Sequence, residues 1–245
     1  MTKWRELARS PEYELQNEAL QQLAFVDDPD GVVAATAALA NIDHRVRGTA
    51  ALVLAHYGTP AADGAKDALW KALAEADESD RPQLTWALVA VKDPKAFEPA
   101  MALFKKGYLS KIQRVGGGNA FDPEKLASLV SLETLAGLVG DESPSVRQLV
   151  AITLSRNAEP KWTDALIKLV NDKDIDVARE AATGLGKIAD EKARGPLLAA
   201  LAKADKDSRA KFLEALRDGI GGEGLVLALE SVSKATPETT WHQTK

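Results

Sequence analysis

The sequence predicts an all-α fold, a right-handed α-solenoid of about seven stacked helix pairs. Three observations predict it. Aromatic residues make up only 5% of the 245 residues, while alanine and leucine are abundant, and this composition favours closely packed helices over sheets. Apolar residues recur at helical spacing along most of the chain. The pattern itself recurs about every 31 residues, as in helical-repeat proteins.

The repeat is clearest in the second half of the chain, where residues 145–154, 176–185 and 207–216 superimpose. Each window places small or apolar residues on one helix face, namely Val150, Ala151 and Leu154, then Ala181, Ala182 and Leu185, then Phe212, Leu213 and Leu216. A second helix is predicted after each window, over 162–170, 193–201 and 224–232. We expect Asp174 and Asp205 to cap the helices that follow them, because a carboxylate accepts hydrogen bonds from first-turn amides.

The first half follows the same scheme less regularly. Helices are predicted over 13–25 and 31–40, and the window 43–54 places Ala50, Ala51 and Leu54 inward. The period breaks at a glycine-rich insertion of about 105–122, and two short helices over 123–130 and 132–139 follow it. We therefore expect one solenoid domain over residues 1–245, interrupted by this insertion. The incomplete helix that starts near Pro237 indicates a piece of a longer protein.

Residues 176–190 together with 193–201 resemble the bacterial short HEAT repeat, whose family includes the phycobilisome-lyase-like repeats. The resemblance is strongest over residues 141–232. It implies a superhelix in which the second helix of each pair lines the concave side. Because one helix pair cannot cover its own apolar face, neighbouring pairs must bury it in series.

Charge and composition narrow the function classes. The formal net charge is -5, which gives no general attraction to phosphate backbones and argues against a nucleic-acid partner. The chain has no cysteine, and its three histidines, His44, His56 and His242, have no ligand spacing, so we expect no metal, no cofactor and no catalytic site. No apolar run is long enough to span a membrane. A cytoplasmic protein is expected, with a periplasmic or surface-exported protein that has lost its leader as the alternative.

The candidate partner-binding residues fall into two groups. Lys105, Lys106, Lys111 and Arg114 lead into a run of glycines whose amides could bind an anion, with an ordinary loop as the alternative. Trp70 and Trp162 lie on second helices and would anchor a partner if they are exposed. The alternative for the tryptophans is that they fill space between helices.

Arginine recurs at one repeat position, in Arg47, Arg81, Arg147 and Arg209. We expect each to pair with an aspartate of the adjacent repeat, and a phosphate-binding strip is the alternative. The acids from Asp172 to Asp176 alternate as in a calcium loop, but Val177 stands where that loop needs glycine. Capping and turn roles are therefore expected for them.

These patterns predict a non-catalytic scaffold that binds a protein or peptide on its concave helical face, or further repeats of the same chain. Two alternatives stay open. One is an enzyme on a HEAT-like frame, of the chromophore lyase or alkylbase DNA glycosylase type. The other is a repeat segment of an exported lipoprotein or of a larger assembly.

Overall fold

A computed structural model of the chain describes residues 2–112, 121–205, 208–219 and 226. The regular structure of these residues is helical, and no strand occurs among them. The all-α prediction is therefore confirmed. The chain forms two compact units, residues 1–130 and 131–245. The predicted single domain stays a prediction.

Unit 1 is a series of helices in which first helices alternate with second helices. The helices are α1 (Thr2–Leu7), α2 (Tyr13–Phe25), α3 (Asp30–Ala38), α4 (His44–Tyr57), α5 (Lys66–Ala74), α6 (Arg81–Ala90), α7 (Phe97–Lys105) and α8 (Pro123–Ala127). The first helices α2, α4 and α6 pack side by side. The second helices α3 and α5 each pack against the first helix that follows, so the helix pairs interlock.

Unit 2 repeats this arrangement. Its helices are α9 (Leu132–Ala136), α10 (Pro144–Asn157), α11 (Thr163–Val170), α12 (Ile175–Ile188), α13 (Arg194–Lys203) and a further helix, α14, over residues 208–219. The first helices α10 and α12 pack together, and α11 packs against both of them. Short 3₁₀ helices, Pro160–Trp162 and Glu191–Ala193, lead into α11 and α13.

The predicted inward positions form the cores of the units. All nine of the positions that the sequence marks as most regular are fully buried, namely Ala50, Ala51, Leu54, Val150, Ala151, Leu154, Ala181, Ala182 and Leu185. In α14, Phe212 and Leu216 are buried, and Leu213 packs against the core from a partly exposed position. The helical periodicity therefore identified the buried face of each first helix.

Capping by aspartate is also confirmed. The side chain of Asp174 accepts hydrogen bonds from the amides of Asp176 and Val177, and Asp205 accepts one from the amide of Ser208. The predicted boundaries needed small corrections where a helix ends in a looser turn. The helix predicted over 123–130 ends at Ala127, and the one over 132–139 ends at Ala136. Of the helix predicted over 224–232 the structure describes residue 226 alone, which is helical, and the helix predicted from Pro237 lies outside the described residues.

Close contact between neighbouring first helices depends on a glycine. A Cβ atom at Gly184 of α12 would lie 2.8 Å from the Cα atom of Ser155 and 2.9 Å from a methyl of Leu166, and it would also meet the Ser155 hydroxyl. That hydroxyl donates a hydrogen bond of 2.6 Å to the carbonyl of Glu180. Gly184 thus lets α12 approach α10 backbone to backbone, as its small size predicts.

Candidate protein-binding surface

The recurring arginine links successive helix pairs inside unit 1. The Nε atom of Arg47 donates to the carboxylate of Asp80 at 2.6 Å, just before α6. Its Nη1 atom donates to the carbonyls of Asn41 and Ile42, both at 3.0 Å, in the turn before α4. Arg47 therefore fixes the turn that precedes its own helix and the acid that precedes the next first helix.

Arg147 makes the same set of bonds in unit 2. Its guanidinium donates to Asp172 at 2.6 and 2.8 Å, and its Nη1 atom donates to the carbonyls of Asp141 and Glu142 at 2.8 and 2.9 Å. The two side chains of this pair are only 7% and 9% exposed. Neither partner has room to bind an external phosphate.

The predicted internal pairing is thus confirmed for two of the four arginines. Arg81 instead donates to the carbonyl of Ala76 at 2.7 Å. Arg209 makes no ion pair with any residue that the structure describes. At Arg47 and Arg147 the phosphate-strip interpretation is wrong, because the carboxylates of Asp80 and Asp172 already occupy the guanidinium groups.

The electrostatics of the second pair follow from this geometry. Burial alone would raise the pKa of Asp172, but hydrogen bonds from Arg147 and from the Asp174 amide outweigh it and hold the pKa below its ordinary value. The hydrogen bond to Asp172 raises the pKa of Arg147 in turn. The ionised pair is therefore the stable form in the folded chain.

This shift predicts a pH dependence of stability. The folded-state pKa of Asp172 lies below the value of about 3.9 for an unfolded chain, so its contribution is present above that pH and is lost as pH falls through the folded value. We expect Asp172→Asn to destabilise the chain most near neutral pH and progressively less in acid. Urea unfolding of both proteins over an acidic pH series measures the difference.

As a control, Asp164→Asn removes an exposed carboxylate of unit 2 and should have a smaller effect at each pH. If the free energy of unfolding lost in Asp172→Asn stays constant as pH falls, the ionised pair of Asp172 with Arg147 is not the source of the stability.

The two predicted tryptophan anchors have different environments. Trp70 in α5 is partly exposed, and its indole Nε1 donates to the buried carboxylate of Asp93 at 2.8 Å. Trp162 is only 5% exposed and belongs to the core of unit 2. The anchor hypothesis for Trp162 required an exposed ring, and this condition is not met. Trp162, like Trp86 at 2% exposed, fills space between helices.

The predicted basic residues lie near the end of unit 1. Lys105 and Lys106 are exposed at the end of α7, and Lys111 is exposed in the 3₁₀ helix that packs against α7. The exposed ring of Tyr108 lies between them in the chain. Arg114 and the glycines after it lie outside the described residues. A partner-binding role for the lysines stays a prediction.

An exposed apolar surface that the sequence patterns did not indicate lies on α3. The twelve residues from Gly31 to Ile42 contain no charged side chain. Val33 is nevertheless 64% exposed, Ile42 is 97% exposed, and Ala37 is also exposed. A solvent-facing helix normally carries charged or polar residues on its outer face. The absence of charge from residue 31 to residue 42 marks this helix as unusual in the sequence, but it does not distinguish a buried helix from an exposed one.

A groove lies between this helix and α1. It encloses about 340 Å³, and Val33, Ala34 and Ala37 of α3 form one wall. Arg5, Ala8, Arg9 and Gln16 also line it, as does Asp30, which pairs with Arg5 at 2.9 Å. Arg9 is exposed and makes no ion pair with a described residue. The groove therefore combines apolar side chains of α3 with an ion pair and an unpaired arginine.

The remaining titratable groups do not assemble a metal site in the part of the chain that the structure describes. His56 lies at the end of α4 and contacts Asp27 at 2.9 Å, and His44 lies 3.9 Å from Asp77. No three potential ligands cluster among the described residues. Within the same residues, no helix has both the length and the apolar character that crossing a bilayer requires.

Comparison with solved structures finds other proteins at low identity. An engineered protein is 21% identical with a TM-score of 0.49, and the match covers 95% of this chain and 71% of that one. The complex of CpcE and CpcF of phycocyanin lyase from Nostoc sp. PCC7120 is 19% identical with a TM-score of 0.44, over 95% and 93% of the two chains. A designed armadillo repeat protein in complex with a (KR)4 peptide is 16% identical with a TM-score of 0.35, over 95% and 98%. No curated protein sequence matches the chain.

The family comparison is more informative. A family model described as HEAT repeats matches residues 1–89 and 132–217, which together make up more than two thirds of the chain. This match agrees with the serial packing of first helices in each unit, and it confirms the predicted α-solenoid class. The chain belongs to the HEAT repeat family.

Proposed function

We propose that the protein is a non-catalytic scaffold that binds a protein or peptide partner through second helices, with the α3 face of unit 1 as the main contact. The observation that carries the proposal is the charge-free segment from Gly31 to Ile42, in which Val33 and Ala37 are exposed beside a groove and Ile42 is exposed after the end of α3. Family membership supports the frame, because a stack of helix pairs holds such a surface rigid. A rigid surface lowers the entropy that binding must overcome.

The chemistry of this surface favours a partner with apolar side chains. Covering exposed apolar area contributes roughly 25 cal/mol per Å² to binding. Burial of Val33 and Ile42 against a partner would therefore favour the complex. The groove beside α3 can receive a side chain, and Arg9 at its rim can orient a carboxylate or carbonyl of the partner. Trp70 remains a proposed contact, since part of its ring is exposed on the second helix α5.

Placing a charge on the α3 face tests the proposal. We expect Val33→Glu to reduce recovery of a stoichiometric partner by about tenfold, because a partner that packs on Val33 would then have to bury a carboxylate in place of an apolar side chain. The measurement is affinity capture from an extract of the producing cells, with the partner quantified by mass spectrometry. Leu15→Glu is the matched control, since Leu15 is also an exposed apolar residue but lies on the first helix α2, where it does not line the groove.

Only one pattern supports the surface assignment, namely partner loss with Val33→Glu and retention with Leu15→Glu. Equal recovery with all three proteins would show that the α3 face is not used. Loss with both variants would show a general effect of added charge. Absence of any stoichiometric partner with the unaltered chain would contradict the scaffold function itself.

A further inference from the structure

We infer that unit 1 has a second binding surface, a lysine patch that takes an acidic segment of the partner protein. The lysine patch consists of six exposed residues, Lys92, Lys95, Lys105, Lys106, Lys111 and Lys125. The inference rests on the proposed scaffold function and names the chemistry of the partner. It uses none of the residues of the α3 face.

These lysines lie on elements that pack against one another, although they are spread along the chain. Helix α7 packs against α6, against α8 and against the 3₁₀ helix Leu109–Lys111, and the 3₁₀ helix and α8 also pack against α6. Lys92 follows α6, and Lys125 is in α8, yet both line one pocket of about 210 Å³. The six lysines therefore lie on one group of packed elements in unit 1, and two of them, Lys92 and Lys125, share a pocket.

The charge of this region is opposite to that of the remaining chain. Residues 92–130 contain seven basic and four acidic residues, whereas the whole chain has 31 basic and 36 acidic ones. Two of the four acids are used within the fold. Asp93 is buried and accepts hydrogen bonds from Trp70 and from the Lys95 amide, and Asp122 caps α8 through the Glu124 amide. Of the acids in this stretch, Glu98 and Glu124 are the exposed ones.

Most of the lysines have no charge partner. Lys92, Lys95, Lys106, Lys111 and Lys125 make no ion pair with any residue that the structure describes. By contrast, three of the arginines of unit 1, Arg5, Arg45 and Arg47, form ion pairs with aspartates. The lysine patch also falls between the two ranges that the repeat model matches, 1–89 and 132–217. The repeat architecture thus does not account for these cations.

The distribution of acids favours a short acidic peptide over nucleic acid. Residues 1–91 of the same unit contain fourteen acidic and eight basic residues. A long polyanion would extend from the patch onto these acid-rich helices, where like charges repel it over about 10 Å at ordinary ionic strength. A short segment of glutamates or aspartates can stay within the patch. Steering of such a segment by the lysines also speeds its association.

Fluorescence anisotropy with a labelled peptide of alternating glutamate and serine tests the inference. We expect the unaltered chain to bind it at about 50 mM salt and to bind it more weakly as salt rises, because surface charges are screened. The variant carrying Lys105→Glu, Lys106→Glu and Lys111→Glu should bind at least about tenfold more weakly. A charge-matched control carries Lys168→Glu, Lys173→Glu and Lys192→Glu, three exposed lysines of unit 2, and should differ from the unaltered chain by less than about twofold.

Two further measurements make the outcomes decisive. Glutamine at the same three patch positions should lower the affinity for the peptide less than glutamate does. Glutamine only removes the positive charge, whereas glutamate also adds a charge that repels the peptide. The α3 proposal is tested by partner capture and not by this peptide, so failure of the lysine patch leaves the α3 proposal standing. No binding to the unaltered chain would overturn the inference, as would equal weakening by the patch and control variants. Tighter lysine-dependent binding of a short single-stranded DNA would reassign the patch to nucleic acid.

Discussion

Replacing Arg147 by methionine is expected to lower the free energy of unfolding by about 3–5 kcal/mol, the range for removing one partner of a buried ion pair. The substitution leaves the carboxylate of Asp172, which is 9% exposed, without its counter-ion. It also leaves the carbonyls of Asp141 and Glu142 without the donor they share. Methionine fills similar volume, so lost polar bonds rather than a cavity dominate the effect.

Urea unfolding followed by circular dichroism measures this change. Arg194→Met is the matched control, because Arg194 pairs with Glu191 at the surface, where the side chains are 35% and 81% exposed. An exposed pair contributes about 0–1 kcal/mol. If the two substitutions destabilise the chain equally, Arg147 does not link the helix pairs as the structure indicates.

Replacing Gly184 by valine is expected to destabilise the chain by about 1–3 kcal/mol through overpacking. In an exposed helix the removal of a glycine stabilises by up to about 1 kcal/mol, so the expected sign is opposite to that of helix propensity alone. The sign follows from what the new Cβ atom meets. The Ser155 Cα atom, at 2.8 Å, belongs to the backbone of α10 and cannot rotate away.

Gly195→Ala is the control for this prediction. Gly195 is in α13, and a Cβ atom there meets nothing within 4 Å. Its replacement should stabilise slightly, by about 0.4–1 kcal/mol, because alanine has fewer unfolded conformations. Thermal unfolding of both variants shows directly whether each substitution stabilises or destabilises the chain. A stabilising Gly184→Val would mean that α10 and α12 do not approach each other closely at this position.

The sequence identified the features that depend on local spacing. Helix α2 begins at Tyr13 and ends at Phe25 as predicted, because helical periodicity and capping are set by residues within a few turns. The partners of the recurring arginines were not identified. Asp43 and Asp141 are close in sequence to Arg47 and Arg147, but the carboxylates that pair with these arginines are those of Asp80 and Asp172, which are 33 and 25 residues further along the chain. That choice depends on how one helix pair packs on the next, which local spacing does not encode.

The candidate surfaces were predicted in part for the same reason. Lys105, Lys106 and Lys111 are recognisable as a basic run, but Lys92 and Lys125 come to line one pocket only because α8 packs against α6. The charge-free run that forms α3 looks like a core helix in the sequence. Only the structure shows that Val33 and Ile42 face solvent.

The central claim is that neighbouring helix pairs stabilise one another in series, and amide hydrogen exchange compared between the unaltered chain and Arg147→Met tests it most directly. The account predicts faster exchange in α12 as well as in α10, because Arg147 in α10 holds Asp172 in the turn that leads into α12. Faster exchange confined to the turn at residues 141–143, with α12 as protected as before, would contradict it.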